Sequence, residues 1–420
     1  MSTMVDLQRY KVDVERTAEE RKAIQQEHLE RIEQGNEIWN AWATEVEKEL
    51  EKRYLRNATT ERKRKIRNQY QIDLSEMVFV QSVSFMGFNF PLEVNFQLAR
   101  FESTANFVST TFESKANFQL ARFKSQANFG SSTFESEANF VSTTFESEAV
   151  FFSATFKLSA FYLRTKFNKQ ANFFGAKFDG EKPQTVLFLG ARFENSALFN
   201  DMEFSKNAVL PVDFRQTHFN NIPLVESLPS DVVILQKKAK QFGVTDFSKY
   251  ESQFRTLKRL AEANNNHQKA LEFYACELYC QRQANNGLKN IKNWAGFLYG
   301  LSSNYGLSLL RPFCFWLAIM CGGAIGQAWV DNKITFTQPY SFNAERAAFY
   351  AAPSLPPFIQ NAHYQKEVRQ RLYPANNNNK VDAKGKLPMP IRIIRGVQTF
   401  FTFIAIFLFG LALRNRFKIK

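Results

Sequence analysis

Between Phe96 and Phe156 the chain repeats itself every eleven residues. The unit reads Ala105-Asn106-Phe107, then Ala116-Asn117-Phe118, Ala127-Asn128-Phe129 and Ala138-Asn139-Phe140. A second ring follows each first one five residues later, at Phe112, Phe123, Phe134 and Phe145, and six more residues lead to the next unit. Helical hairpin repeats need about 34 residues, so this period excludes them. It suits a solenoid of short β segments, each stacked on the one below. Two residues before each ring stands a small one: Ala105, Thr110, Ala116, Ala121, Ala127, Ser132, Ala138, Thr143. Residues two apart in an extended chain share a face, so one face carries small and large residues in turn and the other carries Asn, Glu, Ser, Lys and Gln. A narrow interior requires that pairing. Phe supplies 45 of the 420 residues, and each ring buries roughly 150–250 Å². The candidate core is therefore Phe107, Phe112, Phe118, Phe123, Phe129, Phe134, Phe140 and Phe145.

Ala116-Asn117-Phe118-Gln119-Leu120 and Ala121-Arg122-Phe123-Lys124-Ser125 are followed by one extra residue, Gln126. These units resemble the pentapeptide-repeat family, whose unit is a small residue, Asn or Asp, a central Leu or Phe, and two polar or small residues. The resemblance covers about Phe85 to Phe219 and is closest to the Phe-centred, membrane-anchored bacterial type. It implies a right-handed quadrilateral β-helix over 76–222. Four units per coil give about 22 residues and a rise of about 4.8 Å, hence roughly six coils and a rod of about 30 Å. The extra residue leaves turn type and coil shape open. Asn106, Asn117, Asn128, Asn139 and Asn172 form a row broken by Val150, expected as amides stacking coil on coil rather than as a binding site. Lys182-Pro183 marks a loop or bulge, since Pro cannot donate to a ladder.

The rest of the chain is of mixed type. Residues 1–75 read as a charged helical cap, with Trp39, Trp42, Val46 and Leu50 at helical spacing. Trp39-Asn40-Ala41-Trp42 resembles a segment that precedes the repeats in bacterial pentapeptide proteins, and its rings are expected to cover the open end of the coil. Residues 223–290 form a linker whose helical hairpin has Phe254, Leu257 and Leu260 on one arm and Ala270, Leu271, Tyr274 and Leu278 on the other. The hairpin is expected to pack on the lower end of the β-helix or on a second copy. Residues 291–420 form a membrane region with spans at 312–330 and 397–413, each long enough to cross about 30 Å of hydrocarbon. Gly322 and Gly326 make a small-xxx-small pair for helix packing. The loop 331–390 contains a Pro-rich apolar stretch around Ala347–Ile359, either re-entrant or on the outer surface.

Net charge is +14. Acids and bases balance over 1–66 and nearly balance over 85–205, so the excess lies after Ser205, beside the apolar segments. Basic flanks there suit an anionic membrane face better than nucleic acid. No apolar leader opens the chain, and Arg414, Arg416, Lys418 and Lys420 follow the second span. Both termini are therefore expected in the cytoplasm, with the chain in the bacterial inner membrane. Cys276 and Cys280 lack the companions of a metal site, and no nucleophile elbow or phosphate loop occurs. No enzyme, metal or cofactor is expected. Two function classes remain: a membrane-anchored scaffold or protein-binding module with an unknown protein partner and a possible homo-oligomer, and a two-span pore- or transport-associated protein. A DNA mimic would need an acidic rod, which this is not.

Overall fold

The computed structural model describes residues 5–13, 15–56, 58–179, 186–204, 212–285, 287–334, 344–356, 361–373 and 387–417. The chain divides into two compact units, Met1–Ala284 and Asn285–Lys420.

The first unit is a β-solenoid built from very short strands, from Gln71–Asp73 to His218–Phe219. They form four parallel sheets of seven, seven, six and six strands, and each strand pairs with the one four places later. A coil is thus four-sided. Ala105 pairs with Ala127 and Phe112 with Phe134, a register of 22 residues. Beyond Phe178 the register widens to 26, as in Ala160 with Val186 and Val186 with Val212. The wider register places four-residue insertions between Phe178 and Val186 and between Phe204 and Val212. Lys182-Pro183 falls there, outside the described residues. The stack survives the insertions, with Phe167 and Phe193 still 4.7 Å apart and nearly parallel.

The corners explain the alternation of five and six residues. On the five-residue corner, the Phe107 carbonyl accepts from the Thr110 amide at 3.2 Å, and Ser109 has φ 55°. That is a type II turn, whose third position requires positive φ. The same position is taken by Leu98, Leu120, Ser131, Ser142 and Gly175. The six-residue corner, such as Phe112-Glu113-Ser114-Lys115-Ala116, is a wider bend with no left-handed residue. The extra residue therefore sets corner width and does not break the stack.

Inside, the rings form four columns. Phe101 lies on Phe123 at 4.5 Å, Phe107 on Phe129 at 4.6 Å, Phe112 on Phe134 at 4.7 Å and Phe118 on Phe140 at 4.9 Å, all nearly parallel. Between columns the rings meet edge to face, as Phe118 and Phe129 do at 5.4 Å and 86°. Both arrangements suit the ring quadrupole. The small positions hold buried hydroxyls as well as Ala, and each is satisfied: Thr110 Oγ1 donates to the Phe85 carbonyl at 2.7 Å and Thr143 Oγ1 to that of Phe118 at 2.6 Å.

Three helices precede the coil: α1 (Ala18–Glu33), α2 (Asn36–Leu50) and α3 (Thr60–Arg67). Trp39 on α2 stacks on Phe88 at 5.4 Å and meets Phe90 at a tilt, at 5.1 Å. Its Nε1 donates to the Asn89 carbonyl at 2.7 Å, while Asn40 Oδ1 accepts from the Asn89 amide at 2.8 Å. Asn89–Phe90 opens its sheet. Two side chains thus replace the missing coil and close an edge that would otherwise recruit another strand.

After the coil come α4 (Val232–Gln241), α5 (Phe247–Ala263) and α6 (His267–Ala284). Phe254, Leu257, Phe273, Cys276 and Cys280 join the same buried cluster as Phe199 and Phe214, so the hairpin continues the core of the coil. The buried face of its second arm is Ala270, Phe273, Cys276 and Cys280, whereas Leu271, Tyr274 and Leu278 are only half-buried. The spacing rule found the helix and Ala270, and placed the other three residues of its face two positions early.

The second unit contains α7 (Trp294–Ser303), α8 (Leu310–Ile334), α9 (Ala344–Ala351), a 3-10 turn after it (Ala352–Ser354), α10 (Ala362–Leu372) and α11 (Met389–Phe417). Leu310–Asp331 and Met389–Arg414, of mean hydropathy 1.6 and 2.0, are long and apolar enough to cross a membrane. Both exceed the expected spans. The second begins eight residues before Val397, which brings Arg392 and Arg395 onto its helix.

Candidate functional site

The eight candidate core rings, Phe107 through Phe145, are all fully buried. They are closed to solvent, so the accessible surface of the solenoid consists of its outward side chains. The Asn row is committed to the scaffold. Asn106 Oδ1 accepts from the Val108 amide at 3.1 Å and Asn128 Oδ1 from that of Gly130 at 2.9 Å, each steadying a type II corner. On the sheet containing Asn95, Asn117 and Asn139 the amides also chain coil to coil, at 3.0 and 3.1 Å.

What remains on the described sides is a surface of charged and polar side chains in register. One side carries Arg100, Arg122, Thr144, Lys166, Arg192 and His218 in register, one per coil. Arg122 pairs with Glu146 on the next coil, and Lys124 with Glu102 at 2.5 Å. The opposite side carries Thr111, Thr133, Thr155 and Lys177, with Lys157 bonded to Glu135 at 2.7 Å. Exposed apolar groups sit at the corners, where Phe152 and Phe174 stack at 5.9 Å.

The second unit is organised differently. Gln327, Gln398, Asp331 and Tyr350 are buried together. Gln327 Nε2 donates to the Tyr350 carbonyl at 2.9 Å and to Gln398 Oε1 at 2.8 Å. Gln398 Nε2 donates to Ser354 Oγ at 2.7 Å and to the Tyr350 carbonyl at 3.2 Å. Arg395 donates to the Phe349 carbonyl at 2.9 Å and lies over the Phe349 ring. Of the two glycines expected to pack helices, Gly322 faces open space, and a Cβ on Gly326 would meet only Ile394, at 3.9 Å. Their neighbour Gly323 makes the close approach, where a Cβ would collide with the Gln398 amide. The small-xxx-small rule picks the stripe of small residues, but the partner's side-chain length decides which of them faces it.

Two of the four cysteines are shielded, whereas Cys314 and Cys321 are exposed. Cys276 is buried, its Sγ donating to the Ser230 carbonyl at 3.1 Å, and burial pushes its thiol well up. Burial pushes Cys280 up to about 12. Neither is a nucleophile at neutral pH. His28 is enclosed by Tyr10, Trp39 and Trp42, with both ring nitrogens unpartnered. Among the described residues no group of three His, Cys, Asp or Glu could hold a metal ion. An open groove of about 510 Å³ in the second unit, lined by Leu307, Leu310, Phe313 and Phe409, carries no ionisable side chain.

Comparison with family models, with curated proteins and with solved structures finds no match for this chain. Sequence reasoning missed Asn40 and Gly323. Asn40 had a signal, since it lies between two Trp residues already assigned to the cap. Gly323 had none, because its role depends on Gln398, 75 positions later.

Proposed function

We propose that the protein is a non-enzymatic, membrane-anchored scaffold of the pentapeptide-repeat type. Its coil offers a rigid flat side to a protein partner, and α8 and α11 hold it at a bilayer. One observation carries this reading: the molecule uses its aromatic residues in two opposite ways. The repeat-centre rings of the coil, such as Phe107 and Phe129, are sealed inside, while on the helices Trp329, Phe400 and Phe407 are 60, 62 and 65% exposed. Such outward rings suit hydrocarbon and would be a liability in water. The basic residues at the end of α11 and just beyond it, Arg414, Arg416, Lys418 and Lys420, support a cytoplasmic C-terminus in a bacterial inner membrane. Two spans would return the chain to the same side, which puts the coil in the cytoplasm.

The pore reading draws on α9, which lies against both long helices. Its Phe349 and Tyr350 carbonyls, however, are occupied by Arg395, Gln327 and Gln398, so these two are not free to replace an ion's hydration shell. The scaffold reading is preferred.

The full chain is expected to stay in the membrane pellet through carbonate extraction, and a chain ending at Ala284 is expected in the supernatant. Recovery of the full chain in the supernatant would show that α8 and α11 are core helices of a water-soluble fold.

A further inference from the structure

We propose that α9 and the turn after it, Ala344–Pro356, form a re-entrant element that dips to about the middle of the bilayer and returns. The polar side chains of the two long helices are there to satisfy its carbonyls. This rests on the anchoring reading above.

The geometry of entry comes first. Asp331, at the end of the α8 span, bonds Arg346 at 3.0 Å and also accepts from the Tyr350 hydroxyl. The first turn of α9 therefore starts at that end. Farther along, Gln327 and Gln398 meet the Tyr350 carbonyl, and Gln398 lies against Gly323. Beyond that, Trp316 Nε1 donates to the Ser354 carbonyl at 2.6 Å. Gly323 and Trp316 lie 8 and 15 positions from Asp331, or about 12 and 22 Å along a helix. Ser354 is held between those levels, near the middle of a span whose hydrocarbon layer is about 30 Å thick.

The return is equally marked. On α10, Arg371 pairs with Glu345, the second residue of α9, at 3.1 Å. Tyr373 packs on Phe349 at 6.3 Å, and Val368 belongs to the same cluster. The chain thus comes back to the end at which it entered. With eight residues, α9 is too short to span.

A helix that stops inside hydrocarbon leaves its last carbonyls without partners, and irregular backbone at that depth is tolerated only where protein satisfies it. Here donors from the long helices are in place for three of those carbonyls. Arg395 takes the Phe349 carbonyl, Gln327 and Gln398 take that of Tyr350, and Trp316 takes that of Ser354. The second Gln398 contact, to Ser354 Oγ, fixes the turn. Glutamines within membrane spans are costly unless such groups face them.

The test uses the full chain in phosphatidylcholine–phosphatidylglycerol vesicles, with Cys314 and Cys321 replaced by Ala. A bimane fluorophore is placed at Leu355→Cys or, on α10, at Tyr364→Cys. Lipids carrying a nitroxide at mid-chain are expected to quench position 355 more than lipids labelled at the headgroup, with the reverse order at 364. Headgroup-dominated quenching at both sites in a carbonate-resistant protein would overturn the re-entrant element and leave anchoring intact. Extraction by carbonate would instead remove the anchoring reading. Gln398→Leu is expected to shift position 355 toward the headgroup pattern, whereas lipid-facing Phe407→Leu is not. An unchanged pattern in Gln398→Leu would show that the glutamine does not hold the turn.

Discussion

The coil and the C-terminal helices solve the same problem, the cost of an unpaired backbone group, in opposite ways. In the coil the backbone pairs with the neighbouring turn, and side-chain amides work on the outside, where Asn106 and Asn128 hold corners. In the helical unit the amides work on the inside, where Gln327 and Gln398 meet the carbonyls of a helix that ends early. The rings follow the opposite rule. Phe129 is sealed between Phe107 and Phe151, while Phe400 and Phe407 face outward. Residue type alone therefore says little about depth. The period in which a residue recurs, eleven in one unit and helical in the other, says much more.

The largest expected effect tests that contrast directly. Phe129→Ala removes a ring stacked at 4.6 and 4.9 Å and should cost about 3–5 kcal/mol in denaturant melts of the detergent-solubilised chain. Phe407→Ala should stay within about 0.5 kcal/mol. Equal losses in the two variants would mean that both rings are core, and the contrast would collapse.

A smaller effect comes from the cap. Burial, with Arg31 nearby, holds His28 down to about 3, against 6.5 in an unfolded chain. Arg9 also lowers it, while Glu27 and Asp73 act the other way. Between those values the unfolded chain binds a proton that the folded chain excludes. Stability is therefore whole above pH 6.5 and falls as pH drops through the window, by about 2 kcal/mol at pH 5. His28→Phe should flatten that part of the pH–stability curve for the coil, and an unaltered slope would place the acid sensitivity elsewhere.

The smallest effect concerns the corners. Leu120 has φ 59° and a half-exposed side chain. Leu120→Gly should raise the melting midpoint, corresponding to about 1 kcal/mol, because a left-handed L residue carries strain that Gly does not. A lower midpoint would show that the leucine's apolar contacts outweigh the strain.

Much of the coil was legible from residues alone. A small residue two places before each Phe dictates which side faces in, and the five-then-six spacing dictates a coil of 22. Trp39 and Trp42 declared a cap by their position before the first turn. The two apolar helices declared themselves by composition, although their lengths did not, since Arg392 and Arg395 look like flanking charges until α9 is seen beside them. The buried face of α6 was also hidden, because Phe273, Cys276 and Cys280 are selected by the end of the coil they help to close.

Sequence by itself determined the repeat, the inward rings, the absence of an acidic rod and the presence of two long apolar helices. Each follows from local spacing or composition, which act between near neighbours in the chain. Tertiary structure decided that Asn40 finishes a sheet edge 49 positions away, that Gly323 and not Gly322 meets Gln398, and that the carbonyls of α9 fall to Gln327, Gln398 and Arg395. Those pairings join side chains far apart in sequence, and no period or propensity encodes them. They exist because a polar group withdrawn from water must be matched by whichever partner the fold brings within reach.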